Sequence, residues 1–536
     1  MDRDTGGPAG PGDDVPGDEP VGGSGADLLR QRASSTPERT ALVDAGGADA
    51  AVSETRSSGD GTWTYGVLDE RVDAFLAGLA RVGDPDGRVC TLLDARPAVA
   101  EAYFAVARRG GSVVPLNVRL DAATLADQAE RAAADLVVCE RETEDLALDA
   151  APDGTPVASV DEPDREGVRS IDRRRAAPLD PVETGPGAER LVMFTSGTTG
   201  EPKGVRLTRR NLAASAVSSA RRLGVDPGDR WLVPLPTYHM GGFAPMLRST
   251  LYGTTAVLYR GFDVEATAEA FDDHGITGVS LVPTQLSRLL DAGWSPPDRL
   301  RFVLLGGAPA SRELVTRALD RGVPVHPTYG LTETASQVTT ATPAEAEEYP
   351  GTVGRPLDGT TVTVVEDGDP VATGETGQVV VAGPTVTPGY LDDDRTAAAF
   401  GPDGLHTGDV GYRDDAGRLW VVGRVDDRIV TGGENVQPGR VADALRSVPG
   451  VADAAVVGLP DDEWGERVAA LVVPDDDADL TPDAVTDDAR DRLADFEVPK
   501  TATLAEGLPR TASGTVDREA VRERLRRERR GADGRG

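Results

Sequence analysis

Three shortages in the sequence each exclude a class of protein. Its 536 residues include only two cysteines, Cys90 and Cys139, so a disulfide framework is excluded and a reducing cytoplasm fits. The four histidines lie too far apart in the sequence to match the spacing of a zinc site. No apolar run approaches the roughly 18 residues of a membrane-spanning helix, so we expect no membrane span.

Lysine is almost absent, although the chain is strongly charged. The formal net charge is −34, and Lys203 and Lys500 are the only lysines among 56 basic residues. This composition indicates a halophilic source, because at roughly 1 M salt the Debye length falls to about 3 Å and charge repulsion is screened. The alternative is an ordinary acidic protein from a GC-rich genome. The negative charge also disfavours nucleic-acid binding.

Both ends of the chain have the composition of tails. Residues 1–24 are rich in Gly, Pro and Asp and almost devoid of apolar side chains, which is typical of disorder. They lack the basic start and apolar centre of a signal peptide. We therefore expect a disordered acidic tail at 1–24 and a short tail at 531–536. The length between them predicts two or three domains.

The most informative stretch is the loop of residues 193–204, between a predicted strand and a predicted helix. Its glycines let backbone N–H groups approach an anion, its hydroxyls add donors, and its lysine adds charge. These residues are Thr195, Ser196, Gly197, Thr198, Thr199, Gly200, Lys203 and Gly204. The pattern predicts a polyphosphate cradle, although not a Walker loop, which ends in Gly-Lys-Ser/Thr. A flexible surface linker is the alternative.

Strand-like and helix-like segments alternate through most of the chain, which predicts an α/β fold with a largely parallel sheet. Strand 301–305 leads into Gly-Gly-Ala-Pro at 306–309, and Ser311 is placed to cap a helix over 312–321. Because ligands bind at the carboxyl ends of such strands, the loops at 195–204, 306–309 and 329–333 are expected to share one site. Residues 141–185 are predicted to be mostly loop.

In order along the chain, these motifs resemble those of the adenylate-forming superfamily, which includes acyl-CoA synthetases, luciferases and peptide-synthetase adenylation domains. The matching segments are the phosphate loop at 195–204, the adenine loop at 306–309, Tyr-Gly-Leu-Thr-Glu at 329–333, Thr-Gly-Asp at 407–409, the hinge at 423–427 and the closing loop at 508–514. The resemblance covers roughly residues 26–530.

The resemblance implies a large N-terminal domain of mixed and parallel sheets with helices at 25–423, a hinge at 424–427, and a small mobile α+β domain at 428–530. It implies ATP, Mg²⁺ and CoA as cofactor and co-substrates. A carboxylate first attacks the α-phosphate of ATP, and the CoA thiol then attacks the acyl carbon of the acyl-AMP. Asp426 is the expected pivot, and Gly432 and Gly433 are expected to let the pantetheine arm pass.

The resemblance also assigns roles to single residues. Glu333 is expected to hold magnesium, and Lys203, His239, Thr332 and Glu333 form the expected catalytic set. The expected nucleotide-binding residues are Thr195, Ser196, Gly197, Thr198, Thr199, Gly200, Lys203, Gly307, Ala308, Pro309, Tyr329, Gly330, Thr332, Asp409 and Arg424. The residue chemistry agrees, because a carboxylate suits a hard cation, an aromatic ring suits adenine, and Asp409 can accept from ribose hydroxyls. Structural or surface roles are the alternatives.

The segments around His239, 279–290 and 328–337 are similar to those of 2-succinylbenzoate–CoA ligases of menaquinone biosynthesis. The expected acid-side residues are His239, Gly241, Arg248 and Gly330. Succinylbenzoate has a second carboxylate that needs a cationic partner, and Arg248 is the candidate. Alternatives are a structural histidine at 239, a surface arginine at 248, and another fatty or aromatic acid as the substrate.

One position departs from the superfamily. A lysine normally follows the Gly of the closing loop, but here Thr515 follows Gly514. Either another cation, among Arg510, Arg518 and Lys500, replaces it, or adenylation is slow, or the chain is a nucleotide-binding protein that has lost adenylation. We expect replacement. An oligomer is compatible with the sequence, and the expected partners are an acid, ATP and CoA.

Overall fold

The computed structural model describes residues 27–47, 61–173, 180–195, 202–461, 463–475, 478, 480–510 and 516–533. The strands are β1 (Thr40–Gly47), β2 (Thr62–Thr64), β3 (Arg88–Leu92), β4 (Ser112–Pro115), β5 (Leu136–Cys139), β6 (Val157–Ser159), β7 (Val168–Ser170), β8 (Glu189–Thr195), β9 (Lys203–Thr208), β10 (Arg230–Val233), β11 (Thr255–Arg260), β12 (Gly278–Leu281), β13 (Phe302–Leu305), β14 (Val325–Tyr329), β15 (Thr339–Thr340), β16 (Arg355–Pro356), β17 (Thr361–Glu366), β18 (Asp369–Pro370), β19 (Gly377–Ala382), β20 (Gly389–Tyr390), β21 (Phe400–Gly401), β22 (Gly404–Arg413), β23 (Leu419–Arg424), β24 (Ile429–Thr431), β25 (Glu434–Val436), β26 (Val451–Asp461), β27 (Gly465–Pro474) and β28 (Thr501–Leu504).

The helices connect these strands, and in the described part of the chain short 3-10 turns lie at Arg141–Thr143, Thr332–Thr334 and Arg490–Arg492. The helices are α1 (Leu28–Ser35), α2 (Tyr65–Val82), α3 (Pro97–Arg108), α4 (Ala122–Arg131), α5 (Glu144–Ala150), α6 (Arg209–Leu223), α7 (Met240–Tyr252), α8 (Val264–Asp273), α9 (Pro283–Asp291), α10 (Arg312–Asp320), α11 (Pro343–Glu348), α12 (Asp393–Ala399), α13 (Pro438–Arg446), α14 (Pro482–Ala489) and α15 (Arg518–Asp533). Among the described helices, none has the combined length and apolar character of a membrane span.

Two large sheets form the N-terminal part of the protein. The first has the order β16-β15-β14-β13-β12-β10-β11-β1-β2, and the second β20-β9-β8-β4-β3-β5-β6-β7. Their central strands are parallel and buried, which is why a strand such as Phe302–Leu305 is apolar throughout. One apolar cluster contains side chains from both sheets and from α2, α3 and α7. The α/β class expected from the sequence is confirmed.

Two smaller sheets follow in the chain. The third has the order β18-β17-β19-β22-β21, with β23 paired to β22, and the fourth the order β25-β24-β27-β26, with β28 paired to β27. The fourth sheet and helices α13, α14 and α15 carry two apolar clusters of their own. Helix α13 packs against β23, where a Cβ on Gly439 would lie 2.2 Å from the carbonyl oxygen of Val422. This contact joins the fourth sheet's unit to the end of the third sheet.

The structure agrees with one helix prediction and with most of one loop prediction. Ser311 caps α10 by accepting from the N–H of Leu314, as expected. Residues 141–185 are mostly loop among the described residues, as predicted, although α5, β6 and β7 also lie there. Helix α5 buries Glu144, Ala147 and Ala150, and its larger apolar side chains, Leu146 and Leu148, are only half-buried, so the sequence shows no clear helical period.

Candidate functional site

Side chains from three sheets meet at one place, near the end of β14, the start of β9, strand β20 and the middle of β22. Strands β13 and β14 are parallel neighbours, so the loop 306–309 and the segment from Tyr329 leave the same edge of the first sheet. Tyr329 reaches Asp409 on the third sheet, and Glu333 reaches Tyr390 on the second. These contacts join the segment 329–333 to both neighbouring sheets, and the sharing of one site by all three predicted loops stays a prediction.

One end of the site combines an aromatic ring, a carboxylate and a guanidinium. The hydroxyl of Tyr329 donates to Oδ2 of Asp409 over 2.7 Å, and Nη1 of Arg424 lies 3.2 Å from Oδ1. Burial raises the pKa of Asp409, and the Glu333 and Asp427 charges add to the rise, while Arg424 and Tyr329 oppose it. Burial also raises the pKa of Tyr329, so its hydroxyl stays a donor. This end offers a flat face beside acceptors suited to a nucleoside.

The other end of the site combines a carboxylate and an ammonium. Glu333 lies in the 3-10 turn with Thr332, and Tyr390 donates to its Oε1 over 3.0 Å. Nζ of Lys203 lies 5.5 Å from the centroid of the Tyr390 ring. Within the described part of the chain, no ion pair joins Lys203 to Glu333 and the second carboxylate oxygen of Glu333 has no hydrogen bond. This arrangement leaves an oxygen for a hard cation and a charge for a phosphate, so the residues present fit magnesium.

The predicted phosphate loop is anchored by a hairpin. Strands β8 and β9 pair antiparallel, with Thr195 opposite Lys203 at the base of the loop. The predicted residues Ser196, Gly197, Thr198, Thr199 and Gly200 lie outside the described residues. Thr195 and Lys203 therefore fix where the loop begins and ends, next to Glu333.

The adenine loop and the turn after Tyr329 need glycine for steric reasons. Gly307 has a φ of +77°, and Gly307 and Pro309 are exposed while Ala308 is half-buried. A Cβ on Gly330 would lie 1.7 Å from the carbonyl oxygen of Ser336, so no other residue fits there. The requirement at Gly330 is thus structural, and a direct contact of Gly330 with nucleotide or acid stays a prediction.

His239 is exposed rather than buried in the core. Desolvation by the surrounding protein, and to a smaller extent the Arg119 charge, lower the pKa of His239. The ring of Tyr238 stands edge-on, with centroids 4.8 Å apart. The tight packing nearby involves Gly242, whose added Cβ would lie 2.3 Å from the Leu235 carbonyl oxygen, rather than the predicted Gly241.

Arg248 is buried, with only 2% of its surface exposed. Its Nη2 donates to Oγ of Ser215 over 3.0 Å, and its guanidinium lies 5.9 Å from the Trp231 ring centroid. Burial lowers its pKa, and among the described residues it has no carboxylate partner. It is therefore not the surface arginine of the alternative interpretation, whereas a contact with a substrate carboxylate stays a prediction.

Gly432 and Gly433 form the two-residue turn of the hairpin between β24 and β25. Their φ values of +61° and +87° are those of a type I′ turn, which requires glycine-like residues at both positions. The turn conformation therefore explains why both positions are glycine, which the sequence did not reveal. Asp426 is exposed, and its neighbour Asp427 pairs with Arg518 at 2.5 Å, while the role of Asp426 as a pivot stays a prediction.

All three candidate replacements for the missing lysine already contact other side chains. Arg510 lies 2.8 Å from Asp453, Arg518 pairs with Asp427, and Nζ of Lys500 lies 3.4 Å from the Trp464 ring centroid. Each of these partners belongs to the hinge or to the part of the chain after it. Thr515 itself lies outside the described residues.

The sequence did not single out Tyr390, Asn211 or Ser215. Asn211 donates to the carbonyl oxygens of Pro384 and Val386, and Ser215 donates to that of Ala335. Asn211 and Ser215 are one helical turn apart, so α6 supports two segments beside Glu333. The signal available in the sequence was the i, i+4 spacing of two small polar residues on a helix that follows the phosphate loop.

Comparisons with known proteins agree with this geometry. A family described as AMP-binding enzyme matches residues 29–391, and a family described as AMP-binding enzyme C-terminal domain matches 440–515. A 2-succinylbenzoate–CoA ligase of Bacillus velezensis is 36% identical over 501 residues, which cover 92% of this chain and 97% of that protein.

Solved structures give the same result. The o-succinylbenzoate CoA synthetase of Bacillus subtilis is similar in its complex with the acyl-adenylate intermediate OSB-AMP, with a TM-score of 0.81, 32% identity, and coverage of 92% of this chain and 97% of that one. Its complex with ATP and magnesium ion has a TM-score of 0.81, 32% identity and coverage of 93% and 99%. An amide bond synthetase of Marinactinospora thermotolerans has a TM-score of 0.83, 29% identity and coverage of 92% and 99%.

Proposed function

The chain belongs to the family of AMP-binding enzymes, and on this premise we propose that it joins 2-succinylbenzoate to CoA while ATP is cleaved to AMP and pyrophosphate. The observation that carries the proposal is the meeting of a nucleoside end, at Tyr329 and Asp409, with a phosphate end, at Glu333 and Lys203. The similarity to ligases named for this substrate supports the choice of acid.

In the first half-reaction, a carboxylate oxygen of the acid attacks the α-phosphorus and pyrophosphate leaves. Tyr329 faces the adenine, and Asp409 accepts from the ribose hydroxyls while Arg424 balances its charge. Lys203 offsets the negative charge of the phosphates. Glu333 holds magnesium, which when bound neutralises phosphate charge. Thr332 and the 195–200 loop supply further hydrogen bonds.

In the second half-reaction, the CoA thiol attacks the acyl carbon and AMP leaves. We propose domains at 25–423 and 428–530, with the smaller one pivoting at Asp426 between the two steps. The pantetheine arm passes the exposed turn at Gly432 and Gly433. Arg424, which pairs with Asp409, lies two residues before the pivot, so ribose binding and domain rotation share this arginine.

The acid binds on the side of His239. The lowered pKa of His239 keeps its imidazole neutral at pH 7. The imidazole therefore orients the reacting carboxylate of the acid through a hydrogen bond, and the carboxylate does not form an ion pair with His239 in place of Lys203. Arg248 is the proposed partner of the second carboxylate, because it is a buried guanidinium with no acid beside it among the described residues. A substrate carboxylate would offset the cost of burying the Arg248 guanidinium without an opposite charge.

We place the enzyme in the cytoplasm. Cys90 and Cys139 are free and buried, and burial raises the pKa of each thiol to about 12, which keeps both unreactive. The acidic, lysine-poor composition supports a cytoplasm of high salt. All proposed partners are small molecules.

A panel of acids tests the proposal. Purified protein is supplied with ATP, magnesium, CoA and high salt, and CoA ester is measured for 2-succinylbenzoate, benzoate and medium-chain fatty acids. We expect 2-succinylbenzoyl-CoA as the main product. Good turnover of another acid with none of this ester would favour a different acyl- or aryl-CoA ligase. The absence of acid-dependent ATP–pyrophosphate exchange would favour a nucleotide-binding protein without adenylation, the alternative that Thr515 motivates.

A further inference from the structure

Tyr390 lies between the two charged groups of the phosphate end. It is 5% exposed and belongs to β20, which pairs with β9 in the register Tyr390 to Val205, two residues after Lys203. Its hydroxyl contacts Glu333 and its ring faces Lys203. The Tyr390 hydroxyl is the donor in this bond, because a carboxylate only accepts.

The segment that carries Tyr390 also holds the backbone of Glu333. The N–H of Thr387 donates to the carbonyl oxygen of Glu333 over 2.7 Å, and Oγ1 of Thr387 donates to that of Arg206 on β9. Thr387 and Tyr390 therefore bond Glu333 at its main chain and at its carboxylate. Both contacts are tied to the strand that begins at Lys203.

Two side chains of helix α6 hold the backbone segments next to Glu333 and Thr387. Asn211 holds the carbonyl groups of Pro384 and Val386, just before Thr387. Ser215 holds the carbonyl of Ala335, in a turn where Ala335 and Ser336 have φ values of +51° and +107°. Positive φ at non-glycine residues is costly and persists where surrounding bonds enforce it. The backbone on both sides of Glu333 is thus held in a fixed place.

We propose that Tyr390 is a positioning residue that sets the Glu333 carboxylate for magnesium and keeps Lys203 apart from it. Its hydroxyl occupies Oε1 and leaves the other oxygen for the cation. Its ring occupies the space in which an ammonium and a carboxylate would otherwise form an ion pair, which would remove the phosphate-binding charge and the metal ligand together. The role rests on the proposed function, in which Glu333 holds magnesium and Lys203 meets phosphate.

Equilibrium binding of ATP without acid tests this role, because no adenylation then occurs. Calorimetry measures ATP affinity across a magnesium series and in EDTA for the wild type, Tyr390→Phe and Tyr349→Phe. Tyr349 is a matched control, since its hydroxyl also donates to a glutamate, Glu348, over 2.7 Å, outside the site. We expect Tyr390→Phe to raise the magnesium concentration for half-maximal enhancement of ATP binding about tenfold, the usual size for loss of a group that orients a metal ligand.

A second pair of variants separates positioning from general damage. Tyr390→Phe in a Glu333→Gln background should cause no further change in magnesium dependence if Tyr390 acts through Glu333. Tyr390→Leu, which also removes the ring, should weaken ATP binding in EDTA as well, because Lys203 then pairs with Glu333. Thermal unfolding of each variant shows whether it is folded.

The outcomes distinguish this role from the proposed function. Tyr390→Phe with the magnesium dependence of the wild type, or an equal effect in the Glu333→Gln background, would overturn the positioning role alone. Wild-type protein that binds no ATP at any magnesium concentration would overturn the proposed function and the positioning role with it.

Discussion

The hydroxyl of Tyr329 and the carboxylate of Asp409 form one hydrogen-bonded unit, 2.7 Å apart, at the junction of the first and third sheets. The residue proposed to face adenine thus orients the residue proposed to hold the ribose. Arg424, the first residue of the predicted hinge, completes the unit through Oδ1 of Asp409. The proposed nucleoside end therefore includes a residue of the predicted hinge.

Two substitutions at Tyr329 separate its ring from its hydroxyl. Tyr329→Phe removes only the hydrogen bond to Asp409 and should raise the KM for ATP about 3- to 10-fold, the usual value of one such bond. Tyr329→Ala also removes the flat face and should cost about a further tenfold, because base–aromatic stacking is worth about 1–3 kcal/mol. ATP dependence of acid-driven pyrophosphate exchange measures both. Equal losses for the two variants would show that the ring face does not contribute.

Lys203 is expected to act on ATP rather than on the acid. Lys203→Ala should lower turnover about 100-fold and raise the KM for ATP more than that for the acid, because it removes a preorganised charge at the phosphates. Lys203→Arg should recover only part of the loss, since a planar fork does not reproduce a compact ammonium. Kinetics with each substrate varied in turn provide the measurement. Equal loss toward ATP and acid would argue against the phosphate role.

The threonine at 515 leads to a gain-of-function test. Thr515→Lys should raise or retain adenylation, by up to about 100-fold if the missing charge limits the wild type. Arg510→Ala supplies the companion test: if Arg510 leaves Asp453 to replace the lysine, its loss should slow the wild type but have little effect in the Thr515→Lys background. Acid-dependent ATP–pyrophosphate exchange measures all four proteins. Complete loss of exchange in Thr515→Lys would show that Thr515 has a function of its own.

One physical rule explains why some parts of the site could be predicted from the sequence. Tyr329 and the loop at 306–309 follow parallel neighbouring strands, and the ends of such strands meet at one edge whatever the rest of the fold does. Tyr390 was not predictable in this way, because its two-residue strand is placed by pairing with β9, far away in the chain. The burial of Arg248 could not be predicted from the sequence either. Its helix α7 is packed on most sides, and an isolated arginine in a sequence does not show whether its guanidinium faces solvent.

The net charge of −34 predicts that stability depends on salt. Raising KCl from about 0.1 M to 2 M should raise the melting temperature by several degrees, since repulsion between surface carboxylates is screened once the Debye length falls below about 3 Å. The buried network in which Arg108 contacts Asp27, Asp69 and Asp73 is shielded from salt and should contribute little to this change. Sucrose of matched osmolality is the control. An equal rise in sucrose would show that the effect is not electrostatic.

We expect the buried His326 to make the folded protein less stable in mild acid. Its ring is 7% exposed, and Nδ1 lies 2.9 Å from the carbonyl oxygen of Pro324, which requires the proton to be on Nδ1 because a carbonyl only accepts. Burial lowers the pKa of His326 to about 4, against roughly 6.5 in the unfolded chain. Above pH 6.5 both states are neutral and His326 causes no pH dependence. Between pH 6.5 and 4 only the unfolded state takes up the proton, so the free energy of unfolding falls as the pH falls.

The expected size of this loss is about 2 kcal/mol at pH 5 relative to pH 7.5, from about 1.4 kcal/mol per pH unit below 6.5. His326→Asn keeps a side-chain donor near the Pro324 carbonyl but cannot titrate. Denaturant unfolding of both proteins at constant high salt, between pH 7.5 and 5, gives the difference in unfolding free energy at each pH. The difference should be constant above pH 6.5 and should move in favour of the variant below it. Parallel curves over the whole range would show that His326 is accessible to protons in the folded protein.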